Sequence, residues 1–162
     1  MADAKAIKEN TNIEDALEKY GTIVWNCKGR SMKPLIRGGI DHVVIKKPDR
    51  KIRAYDVVMY ARDESAPEAP GAKRENVLHR VIGRKGKDLI ILGDNCVTRE
   101  RVPEDRIIGI MIGLIRNGKT YDLNSAGHRL YLNLWVRPHR MRVGIIRAGS
   151  RVKRVCTKAT KE

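Results

Sequence analysis

The sequence predicts a mainly β fold, a compact antiparallel sheet with a short helix before it and a basic helical tail after it. Short Val- and Ile-rich runs recur between residues 22 and 123 at the even spacing of strands. The two ends differ: residues 12–20 carry apolar side chains at helical spacing, and residues 124–162 are amphipathic and basic. Phe is absent and aromatics make up only 4%, so aliphatic side chains must fill the core. At 162 residues the chain has the usual size of one domain and can bury a real core.

The elements follow in order. Ile13, Ala16, Leu17 and Tyr20 share one face of a short helix, which Gly21 ends. Residues 22–26 read as a strand broken by the loop around Gly29; 42–47 and 55–62 are the next two strands. Residues 63–76, rich in Pro, Ala, Gly and charge, read as an exposed loop. Residues 77–84 and 88–93 flank a glycine turn, a hairpin signature, and 106–116 pairs with 119–123 across Asn117-Gly118. Pro138 and Gly144 are expected to interrupt any single long helix in the tail. The expected division is an N-terminal helix (1–21), a β domain (22–123) and a tail (124–162).

Charge and cysteines bound the function. Lys plus Arg outnumber Asp plus Glu by 34 to 19, a net of +15. Nine basic residues and one acid follow from Arg137 onward. Such an excess favours an anionic partner, nucleic acid or acidic lipid. Cys27, Cys96 and Cys156 form no CxxC pair, so neither a disulfide framework nor a zinc ribbon is expected. No cofactor is implied. The N-terminus has no apolar stretch of a signal peptide, and the longest apolar run, 107–115, falls far short of the roughly 20 residues that span a bilayer. The expectation is a cytoplasmic protein, or one held peripherally at the inner membrane face.

Four features carry chemistry. Ser31, in the loop Gly29-Arg30-Ser31-Met32-Lys33-Pro34-Leu35, is held between glycine and proline as a nucleophile would be. It needs a base within about 3 Å. His79, in an aliphatic strand, shares a face with Val77 and Val81 and titrates near neutrality. A histidine on such a face is more often structural. Gly93-Asp94-Asn95 reads as a turn, followed by Glu100; a carboxylate here would orient the imidazole. Asp56 reads as structural, at the start of a strand.

Together these motifs resemble the signal peptidase I superfamily, which includes LexA-like self-cleaving repressors. Ser31-Met32-Lys33-Pro34, Asp56-Val57-Val58, His79-Arg80-Val81-Ile82-Gly83, Gly93-Asp94-Asn95 and Ile108-Gly109 stand in that family's order and spacing over residues 22–120. The resemblance implies a barrel-like β domain and a serine endopeptidase that cleaves a peptide or preprotein after small residues. Ser31 would be the nucleophile and His79 the general base, as in the Ser-His branch; other members have lysine there. Either Glu100, where that branch has aspartate, or Asp94 would complete the site. Met32 and Pro34 would lie along the substrate, and the Ser31 backbone N–H would be the oxyanion donor.

The chain departs from both named relatives. Only about 30 residues precede Ser31, with neither a membrane anchor nor a DNA-binding domain among them. Its Ala-Gly pairs, Ala126-Gly127 and Ala148-Gly149, follow the motifs, so programmed self-cleavage is not expected. The tail, with Tyr131, Trp135 and its arginines, is expected either to lie on an anionic membrane or to pack on the β domain. A catalytically silent binding module for nucleic acid or an anionic surface is the alternative function.

Overall fold

The computed structural model describes residues 5–6, 12–63 and 74–159. Among these residues nine strands pair into one sheet: β1 (Lys5–Ala6), β2 (Thr22–Trp25), β3 (His42–Lys46), β4 (Val57–Asp63), β5 (Arg74–Lys85), β6 (Asp88–Leu92), β7 (Glu100–Pro103), β8 (Ile107–Arg116) and β9 (Lys119–Tyr121). The order is β1-β2-β3-β8-β4-β5-β6-β7, with β9 on β8. Every pairing is antiparallel except β1 with β2. The path ends on β1 and β7 without their meeting, so the sheet is open and is not a closed barrel.

Alternation builds a core on both faces. On β4, Val57 and Met59 join one apolar cluster, which also buries Ile23, Ile45 and Leu114. Val58 and Tyr60, one residue out of phase, join a second with Val77, Val81, Ile91 and Ile110. Helix α1 (Ile13–Tyr20) covers the first cluster with Ile13, Ala16 and Leu17. Asn12 caps it, its side chain accepting the Glu14 N–H at 3.0 Å.

The short strands β1 and β7 are additions to the predicted set. The expected loop at 63–76 is shortened, because β4 runs to Asp63 and β5 starts at Arg74; its middle, 64–73, lies outside the described residues. After β9 come α2 (Ala126–Tyr131), one π-helical turn (Leu132–Val136) and α3 (His139–Ala159). Pro138 separates the turn from α3, as expected. Gly144 does not interrupt: α3 runs through it, since an interior glycine costs only about 1 kcal/mol and keeps its N–H. Among the described residues no helix is long and apolar enough to cross a membrane.

Candidate active site

The Ser31 loop between β2 and β3 is anchored from below. Met32, Leu35 and Ile36 are buried in the first cluster, and the Ile36 N–H closes the turn on the Met32 carbonyl at 3.0 Å. The Lys33–Pro34 peptide is cis. From above, the turn after β6 clamps the loop: the Asn95 N–H donates to the Ser31 carbonyl at 2.7 Å, and Asn95 Nδ2 to the Arg30 carbonyl at 3.2 Å. Gly93 is required at this crossing. A Cβ there would meet the Ser31 carbonyl at 2.9 Å and His79 Nε2 at 3.0 Å. The imidazole's Nε2 and the serine loop therefore flank the same backbone atom.

His79 is almost wholly buried on β5. Its Nδ1 lies 3.3 Å from Glu100 Oε1 and 3.3 Å from the Tyr60 hydroxyl. Tyr60 gives its one proton to Glu100 Oε2 at 2.8 Å. Nδ1 must then be the donor toward this pair, which leaves the Nε2 lone pair facing the serine loop. Arg62 holds the same carboxylate through Nε to Oε2 at 3.0 Å and through Nη2 to Oε1.

Burial drives the His79 pKa below its usual value, outweighing the upward pull of Glu100. Burial also pushes Glu100 up, but hydrogen bonds from Arg62 and Tyr60 prevail and hold it below the usual carboxylate range. The Tyr60 phenol is raised by its own burial and by Glu100. Near neutrality the constellation is an ionised glutamate behind a neutral imidazole, which is what a general base needs.

A cavity of about 570 Å³ opens over this arrangement. Ser31, His79, Glu100 and Met32 all line it, together with Trp25 and with Ile146 of α3. The Ser31 N–H and hydroxyl make no hydrogen bond among the described residues, and no direct bond joins the hydroxyl to Nε2. Catalytic contacts of this kind often close only once substrate is bound. Pro34 is exposed and does not line the cavity. Neither nearby thiol offers a competing nucleophile: burial pushes Cys27 up to about 11 and raises Cys96 as well.

Asp94 belongs to a separate network. It is fully buried and takes Arg80 Nη2 at 2.7 Å and Nε at 2.9 Å, while Tyr131 donates to it at 2.7 Å. Trp135 Nε1 donates to the Asp94 carbonyl at 3.1 Å. Asp94 thus fixes the turn that clamps Ser31 and ties α2 and the π turn to the sheet. Of the two tail alternatives, Tyr131 and Trp135 follow packing on the β domain. Asp56 is structural in the same sense, accepting the Arg53 N–H at 2.8 Å and Arg50 Nη1 at 2.7 Å.

Sequence reasoning missed Tyr60 and Arg62. Val58 pairs directly with His79, so Tyr60 and Arg62, two and four residues on, continue the histidine's face of the sheet. The alternation of 55–62 holds that signal, but reading it needs the β4–β5 register. No protein-family model matches this chain, and no match to it was found among curated proteins.

Proposed function

We propose that the protein is a serine endopeptidase of the Ser-His type seen in signal-peptidase-like enzymes. The observation that carries this reading is the placement of Glu100 on the Nδ1 side of His79, with Nε2 left toward the Ser31 loop in one cavity. Ser31 Oγ attacks the scissile carbonyl while Nε2 takes its proton; Glu100 stabilises the imidazolium so formed. The unpaired Ser31 N–H serves the developing oxyanion. His79 passes the proton to the leaving amine, an acyl-serine remains, and water releases it by the reverse proton route. Met32 contributes to the cavity wall; Pro34 acts through the loop's shape. The test is turnover of a peptide library, read by mass spectrometry, with wild type and Ser31→Ala. Site-specific cleavage lost in the variant supports the reading. Equal cleavage by both removes it.

A second observation favours a binding role beside the catalytic one. Leu130, Leu134, Met141 and Ile145 are mostly exposed and recur at spacings of four and seven along α2, the π turn and α3. The exposed Arg129, Arg137, Arg140 and Arg147 accompany them. Apolar and cationic faces on one helical segment suit the headgroup region of an anionic membrane, each basic residue contributing about 1 kcal/mol. Self-association would set the same arginines against one another. The test is flotation of the full chain with vesicles rich in anionic lipid. Binding that is lost in Leu134→Asp/Met141→Asp supports a membrane partner. Retained binding, or preference for nucleic acid, contradicts it.

A further inference from the structure

We infer that Tyr60 is a positioning residue for the reaction: its hydroxyl holds the Glu100 carboxylate against His79 and so keeps the ring proton on Nδ1. The inference rests on the peptidase reading and adds a fourth side chain to Ser31, His79 and Glu100. Tyr60 is buried on β4 and packs edge-on to the imidazole, with ring centroids 6.3 Å apart. Its hydroxyl reaches both partners at once, 2.8 Å from Glu100 Oε2 and 3.3 Å from His79 Nδ1. A phenol has one proton to give. Burial and the adjoining carboxylate keep that proton on the phenol and direct it to Glu100. The phenol oxygen therefore faces Nδ1 only as an acceptor, beside Glu100 Oε1 at 3.3 Å.

The hydroxyl matters because the other support of the carboxylate is less enclosed. Arg62, which also holds Glu100, has a side chain 39% exposed, and both residues line the cavity. Without Tyr60 the carboxylate is free to turn with the arginine toward the cleft, away from Nδ1. The imidazole then loses both acceptors that fix its tautomer. A proton carried on Nε2 instead blocks the nitrogen that must take the serine's proton. Among the described residues that line the cavity Tyr60 does not appear, so it acts on substrate through Glu100 and His79.

The experiment is a double-mutant cycle in the full chain. Tyr60→Phe keeps the ring in the core and removes only the hydroxyl. It should lower kcat roughly 10- to 100-fold, the loss expected of one hydrogen bond to a charged group, with KM unchanged. In a Glu100→Ala background the same change should cost nothing further, because the group it acts through is gone; a merely structural role would add its cost in both. No loss in the wild-type background, equal losses in the two backgrounds, or a loss carried by KM overturns the inference while leaving the peptidase reading in place. If no peptide is cleaved, the peptidase reading fails by itself. NMR of the His79 ring nitrogens in Ser31→Ala still decides the role of Tyr60. A single Nδ1–H tautomer that becomes a mixture on adding Tyr60→Phe sustains it, and the same tautomer in both overturns it.

Discussion

The Glu100 carboxylate stands 3.3 Å from Nδ1 of His79, leaving Nε2 of the same ring for the Ser31 loop. Two strands and the turn between β6 and β7 bring this about. His79 comes from the middle of β5, Glu100 from the start of β7, and Gly93 lets the β6–β7 turn close against the Ser31 carbonyl and His79 Nε2.

The acid limb of kcat/KM should lie below pH ~6.5, the value of an unperturbed histidine. Burial depresses the His79 pKa, so the neutral base survives into more acid solution. The sign for stability is the same: the unfolded chain binds this proton more readily. The contribution is full above the unfolded value and is lost as pH falls through the folded one. A pH–rate profile with its acid limb well above 6.5 would contradict this.

Glu100→Gln should lower kcat by up to about 10⁴-fold, as expected when a triad loses its orienting carboxylate. Glu100 pulls the His79 pKa upward, so the residual activity should show an acid limb moved to still lower pH. A loss below tenfold with an unmoved limb would assign the role elsewhere.

Gly93→Ala should fold with reduced stability and lose on the order of 100-fold in kcat/KM. The new Cβ meets Cys96 Sγ at 2.7 Å, the Ser31 carbonyl at 2.9 Å and His79 Nε2 at 3.0 Å, so these neighbours must shift, and misplacing groups at a reacting centre costs rate steeply, about 100-fold for an ångström. Steady-state kinetics beside urea unfolding separates the two effects. Unchanged kinetics would mean that the loop and imidazole need not meet.

Asp94→Asn should destabilise the fold by about 3–5 kcal/mol, because it leaves the buried Arg80 guanidinium without its counter-charge. Its effect on the acid limb should be smaller than that of Glu100→Gln, since Asp94 pulls on His79 less than Glu100 does. Chemical denaturation and the pH–rate profile of one sample check both. A stable variant with a shifted limb would exchange the roles of the two acids.

Alternation and turn residues made the strands of 22–123 other than the four-residue β7 readable, because period-two patterns and glycine turns are local. Strand β1 was not, since two residues carry no pattern. The helix through Gly144 was misjudged because a glycine's cost in a helix is modest, whereas Pro138 removes a donor outright. Ser31, His79 and Glu100 were legible as spaced motifs. The choice between Glu100 and Asp94 was not, because it turns on Arg80 and on Tyr131, some 40 residues from the turn it holds. Tyr60 and Arg62 stayed hidden for the same reason: their role depends on the pairing of Val58 with His79.

On the peptidase reading Ser31, activated by His79, forms a covalent acyl intermediate. It is tested most directly by the intact mass of the protein after brief reaction with a slowly deacylating peptide ester. One acyl adduct is expected, mapped to Ser31 by peptide fragmentation, absent in Ser31→Ala and strongly slowed in His79→Ala. An adduct on another residue, or one formed equally fast without His79, would contradict it.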